Sequence, residues 1–87
     1  MWAAKRGVLE IIVSILNSLA EGPLRKTHVT YKARLDSRTT SKYIMLLLGL
    51  EMIAKSDDDP SYFTLTQKGR DFIEEYEGLI KIVGVTS

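Results

Sequence analysis

The sequence predicts an α+β domain, mostly α: three helices, a two-stranded hairpin and a further C-terminal helix. Three observations carry this expectation. Apolar residues recur at intervals of three and four over 4–20, 37–48 and 67–83, the spacing of helices with one buried face. Two short apolar stretches, 52–55 and 62–65, flank Ser56-Asp57-Asp58-Asp59-Pro60, in which Ser and Asp bond their own backbone and Pro presets a bend. Between the first two long periodic stretches, 27–33 is short enough to be a single small helix followed by a turn.

Taken in order, Val8, Ile11, Ile12, Ile15, Leu16 and Leu19 form the stripe of the first helix, and Val13 widens it. Glu10, Ser14, Asn17 and Ser18 form its wet side. Gly22-Pro23 stops the helix. Met1 to Arg6 ahead of an apolar run has the outline of a signal peptide. Glu10 interrupts that run and no small-residue cleavage site follows, so an amphipathic core helix is the expectation. Leu24 is a short extended link. In the helix over 27–33, Val29 and Ala33 share one face, and Leu35 closes the turn. Asp36 or Ser37 can cap the next helix, because a short side-chain oxygen accepts from free N–H groups of the first turn.

The helix over 37–48 has an apolar back, Ile44, Leu47 and Leu48 with Tyr43 beside them. Its early outward positions are Ser37, Arg38, Ser41 and Lys42, with Thr39 beside them. A helix fits the major groove of duplex DNA, and its N-terminal residues reach the base edges. Small hydroxyl residues allow close approach, and Arg38 offers a planar fork to guanine or phosphate. In the returning strand, Phe63 and Leu65 share one face, Tyr62 and Thr64 the other. Three helices and a hairpin are the outline of a winged helix, with 56–61 as the wing tip. Thr66 caps the last helix, in which Phe72, Tyr76, Leu79 and Val83 alternate at four and three, the seam of a coiled coil, with Ile80 beside it. About 17 residues of helix span about 25 Å, more apolar helix than this domain needs for its own core. The expectation is a homodimer through Phe72, Tyr76, Leu79, Ile80 and Val83. Residues 1–66 are then the DNA-binding part and 67–87 the dimerisation element of one continuous domain.

Eighty-seven residues make one domain with a modest core. The 45% hydrophobic and 26% charged fractions are those of a globular protein. The absence of cysteine removes disulfides, thiol catalysis and cysteine zinc sites, and fits a reducing, cytoplasmic setting. No stretch has the roughly 18 uninterrupted apolar residues of a membrane span. The net charge of +1 hides an asymmetry. Residues 1–42 hold eight Lys/Arg against three acids, and residues 43–87 four against eight. The basic half contains the candidate recognition helix and attracts a polyanion. Arg25, Lys26, Lys32 and Arg34 are the expected phosphate contacts.

Other chemistry finds little support. Asp57, Asp58 and Asp59 lack the glycine and closing glutamate of a calcium loop, so a solvated turn is expected and no metal. His28, the single histidine, has no evident nucleophile or orienting carboxylate, and surface placement is expected. Tyr31 is expected to pack beside the first helix. No Gly-rich phosphate loop is present, so neither a nucleotide cofactor nor an enzyme is expected. The three acids of the wing tip would meet phosphates with like charge, so DNA would be held mainly by the helix and the basic residues before it.

Several segments together resemble the archaeal winged-helix regulators of the 10a type. They are Glu21-Gly22-Pro23-Leu24-Arg25-Lys26-Thr27-His28, Tyr31-Lys32-Ala33-Arg34-Leu35, Lys42-Tyr43-Ile44 with Leu46-Leu47-Leu48, and Tyr62 with Leu65-Thr66-Gln67-Lys68-Gly69-Arg70. The resemblance covers about residues 8–77. It implies a winged-helix domain that binds double-stranded DNA through the helix at 37–48, a homodimer joined by antiparallel C-terminal helices, and a nucleoid-associated regulator or chromatin-like protein. This chain departs from the family's pattern at Leu50-Glu51-Met52-Ile53, where relatives usually carry Lys-Gly-Leu-Ile. It also departs at Thr40, where they often carry leucine, and in the shortness of its last helix. A regulator of transcription, an architectural coat and a protein-interaction module are the three readings, in that order.

Overall fold

The computed structural model describes residues 7–83. Its elements are α1 (Val8–Ser18), β1 (Leu24–Arg25), α2 (Lys26–Lys32), α3 (Ser37–Gly49), β2 (Ile53–Lys55), β3 (Tyr62–Leu65) and α4 (Gln67–Val83). This is the expected winged helix, mostly helical, with the β2–β3 hairpin as the wing. Residues 4–6 of the expected first helix lie outside the described part.

The core is built from the faces that the period predicts. Ile12, Ile15 and Leu16 of α1, with Leu19 just after it, meet Val29 of α2, Ala33 just after that helix, and Tyr43, Ile44 and Leu47 of α3, with Ile53 closing the layer. Phe63, Leu65, Phe72 and Ile73 pack against it from the hairpin and α4. The first half of α4 therefore belongs to the same hydrophobic body as the three helices before it. Hollows between α1 and α4 are lined by Glu10, Val13, Ser14 and Tyr76 at one end and by Asn17, Ala20, Ile73 and Glu74 at the other. The two helices thus run antiparallel, and the last turns of α4 lie toward the start of α1.

Three details differ from the sequence reading. Leu24 and Arg25 form a true edge strand, so the sheet has three strands in the order β1-β3-β2. Leu24 stands opposite Phe63 and Arg25 opposite Tyr62, antiparallel. The first helix ends at Ser18 rather than Ala20, with a turn carrying the chain to Gly22. Ser18, expected on the wet side, is buried: its hydroxyl donates to the Ile15 carbonyl at 2.6 Å, which satisfies it inside the core.

Both helices around the turn end in the same way. After α2, the Leu35 N–H donates to Thr30 O and the Arg34 N–H to Tyr31 O. After α3, the Met52 N–H donates to Leu47 O and the Glu51 N–H to Leu48 O. This is the paired closing pattern usually built on a left-handed glycine. Here Arg34 (φ 59) and Glu51 (φ 63) take the left-handed position instead.

Candidate nucleic-acid interface

The outward face of α3 is set by what its other face buries. Thr40, Tyr43, Ile44 and Leu47 are buried, which turns Arg38, Lys42, Met45 and Gly49 to solvent along one ridge at spacings of four, three and four. Ser37 is exposed at the helix start, and Thr39 and Ser41 are half-buried on its flanks. Thr40, at the position where a leucine was the family expectation, is fully buried. Its hydroxyl donates to Asp36 O at 3.0 Å, so the smaller side chain leaves no unpaired polar atom. The Lys42 ammonium lies 6.0 Å from the Tyr43 ring centre.

Asp36 caps α3. Its carboxylate accepts from the Thr39 N–H at 2.7 Å. The Thr39 contact holds the Asp36 carboxyl below its ordinary value, and the Arg38 charge adds to this. The free N–H groups at the start of α3 already face a carboxylate, so a phosphate would be met by the Arg38 and Ser37 side chains rather than by the helix end.

The remaining expected contacts are spread over the segment before α3. Lys32 is exposed in the last turn of α2, and Arg34 is exposed in the turn to α3. Lys26 is half-buried at the first position of α2. Arg25 is drawn to the sheet: its guanidinium lies over the Tyr62 ring at 5.1 Å from the centroid. It also sits close enough to Asp59 to favour that carboxylate. Arg25 is thus turned to the base of the wing, whereas Lys32, Arg34 and Arg38 gather around the α2–α3 turn.

The wing tip is organised by Asp59. Its carboxylate accepts from the Ser61 N–H at 3.0 Å and the Ser61 hydroxyl at 2.8 Å. These bonds hold its carboxyl below the ordinary range, with the Arg25 charge adding. Ser56 Oγ accepts from the Asp58 N–H at 3.3 Å. Among the described residues no group of three or more His, Cys, Asp or Glu is arranged to hold a metal. The tip is an acidic turn knitted by its own side chains. His28 is exposed on α2, as expected. Tyr31, expected to pack beside α1, is instead 83% exposed, because the buried side of this segment is taken by Val29 and by Ala33 just after the helix.

The expected seam of α4 divides. Phe72 packs on its own core, and Tyr76 and Ile80 are half-buried. Leu79 is 58% and Ile82 82% exposed, and Val8 and Leu9 at the start of α1 are exposed too. The antiparallel course of the two helices brings these four apolar residues to one end of the molecule. The side chain of Val83 lies outside the described residues.

The winged helix-turn-helix family profile matches residues 5–83. The chain belongs to this winged helix-turn-helix family. Two uncharacterized proteins of Methanocaldococcus jannaschii are similar to it. One is 36% identical over 93% of this chain and 37% of its own length. The other is 35% identical over 91% of this chain and 78% of its own. This winged helix therefore spans little more than a third of the first relative. Among solved structures it is similar to Sso10a-2, a DNA-binding protein from Sulfolobus solfataricus, at TM-score 0.74 and 28% identity over 91% of this chain and 83% of that one. The resemblance to the archaeal 10a type thus holds. A MarR family transcriptional regulator from Silicibacter pomeroyi DSS shares the fold at TM-score 0.69 and 24% identity, over 88% of this chain and 58% of that one.

One outward residue escapes the sequence reading. Met45, 73% exposed, stands on the ridge of Arg38 and Lys42. The 38–42–45–49 spacing contains this information, but the chemistry of methionine hides it among core candidates.

Proposed function

We propose that this protein is a dimeric, non-enzymatic binder of double-stranded DNA that regulates transcription at the nucleoid. In this reading α3 enters the major groove, with Ser37, Arg38, Thr39, Ser41 and Lys42 toward the bases. Lys26, Lys32 and Arg34 meet the backbone phosphates, and Arg25 joins them from the wing base. Residues 1–66 supply the DNA-binding part. Residues 67–87 join two copies through Leu79, Ile80 and Val83, with Tyr76 at the edge and Phe72 bracing the helix from inside. The observation that carries the reading is the solvent ridge of α3, polar and basic at its N-terminal end and standing on a buried back of Tyr43, Ile44, Leu47 and the self-satisfied Thr40. The exposed Val8, Leu9, Leu79 and Ile82 support the second copy, because four large apolar side chains near the start of α1 and the end of α4 are left open to water.

Fluorescence anisotropy on a random duplex across a salt series tests the DNA reading. Tight binding at low salt that collapses as salt rises is the expected outcome, since phosphate contacts release counterions. No binding at low salt would overturn it and direct attention to a protein partner. Selection from a random library then separates a regulator from a coat. For a regulator, Arg38→Ala costs about 1–3 kcal/mol of affinity at the selected site. Two copies on one duplex further predict half-sites about 10 bp apart.

A second reading, sequence-tolerant coating of DNA, is favoured by the exposed Lys32, Arg34 and Arg38 around the α2–α3 turn, which can meet phosphates without reading bases. It predicts the same salt dependence with no selected site.

A further inference from the structure

We infer that Met45 reads thymine methyl groups in the major groove, so that this protein prefers T-containing steps beside the bases addressed by Arg38 and Lys42. The inference rests on the DNA-binding reading and adds a base preference to it.

The argument starts from position. Met45 is the middle of the solvent ridge of α3, one turn beyond Lys42 and two beyond Arg38. Its exposure is 73%, against 43% for Leu46 and 39% for Leu50, which lie toward the buried flank. A large apolar side chain standing at the centre of the wet face contributes nothing to the core. The neighbours on the ridge bear on what it touches. Arg38 and Lys42 precede it with positive charge, and Gly49 follows with nothing within 4 Å of where a side chain would stand. A polyanion drawn to the first half of the ridge therefore meets Met45 next, and no bulk at 49 holds it off.

The chemistry then selects the contact. The floor of the major groove offers hydrogen-bonding edges and one apolar group, the C5 methyl of thymine. Methionine has no donor to offer those edges. Its unbranched, polarisable side chain suits an apolar target whose position shifts between sequences. Along the helix axis Met45 lies about 10 Å from Arg38, so both reach one groove segment of a few base pairs.

The test compares an A·T-rich duplex with the same duplex carrying deoxyuridine in place of every thymine, which removes only the methyl groups. Wild type and Met45→Ala are measured by anisotropy on both at low salt. Wild type should bind the deoxyuridine duplex about fourfold more weakly for each methyl contacted, the value of burying one such group. Met45→Ala should lose that discrimination while keeping the salt dependence. Met45 is exposed, so the substitution leaves the fold intact. Equal binding of both duplexes by wild type overturns the inference and leaves DNA binding standing. Discrimination that persists in Met45→Ala overturns it as well, by assigning the methyl effect to another residue. Failure of wild type to bind either duplex overturns both the inference and the reading beneath it.

Discussion

Glu51 at φ 63 holds a backbone region that costs a side-chain-bearing residue about 1–2 kcal/mol, and glycine escapes that cost at the expense of some chain entropy. Glu51→Gly should raise stability by roughly 0.5–1 kcal/mol in urea unfolding, and a loss of stability would mean that the Glu51 side chain makes an offsetting interaction. Gly69 is the opposite case. A Cβ there would stand 2.3 Å from Met52 O and 2.6 Å from Leu65 Cδ1. Gly69→Ala should therefore destabilise by about 1–3 kcal/mol, read in the same unfolding assay. Asp36 supplies a pH-dependent effect. Its carboxyl is lowered from 3.8 in the folded state, so its capping is fully present above that value and is lost as the pH falls below it. Asp36→Ala should lower the melting temperature at neutral pH, and the difference from wild type should shrink toward zero in acid. At this scale the sequence is least explicit. That Ser18 would be buried and Tyr31 exposed follows from which neighbours fill the core, and a single residue's type does not contain that.

At the scale of elements, period decides what can be read. α1, α3 and α4 each carry several turns of apolar repeat, and their boundaries are legible to within a few residues. The hairpin is legible from alternation and from a turn rich in Asp, Ser and Pro. β1 is not, because two residues have no alternation to show and their strand character comes only from the pairing of Leu24 with Phe63 and Arg25 with Tyr62. The acidic tip is legible as composition, but its internal scaffold of Asp59 and Ser61 needs the folded turn. One residue ties the elements together. The Thr66 N–H donates to Met52 O at 3.1 Å, its hydroxyl donates to Glu51 O at 2.7 Å, and the same oxygen accepts from the Gly69 N–H at 3.1 Å. Thr66→Val removes the cap of α4 and its tie to the exit of α3 together, and should cost about 1–2 kcal/mol.

For the whole molecule, the proposed dimer and the proposed DNA contact are separable by experiment. Leu79 and Ile82 are exposed, so Leu79→Glu with Ile82→Glu should preserve the circular dichroism spectrum and convert a sedimenting dimer to monomer. Unchanged sedimentation of a wild-type dimer would remove α4's exposed flank from the interface. Lys32→Ala, at the exposed end of α2, should weaken binding to all duplexes alike and reduce the salt slope by about one. The charge division between residues 1–42 and 43–87 is plain in the sequence. The fold gives it a shape: the α2–α3 turn carries exposed Lys32, Arg34 and Arg38, and the wing tip carries the acids, with Arg25 at Tyr62 on the wing side.

The close seat of Gly69 against Met52 also sets how freely this chain can vary. The Met52 carbonyl that a Cβ at 69 would strike is the one that anchors Thr66, so the backbone there cannot yield without loosening the start of α4. In a library holding every single substitution, selected only for a folded product, position 69 would return glycine almost alone. Position 51, strained by its present occupant, would drift toward glycine from the same starting pool.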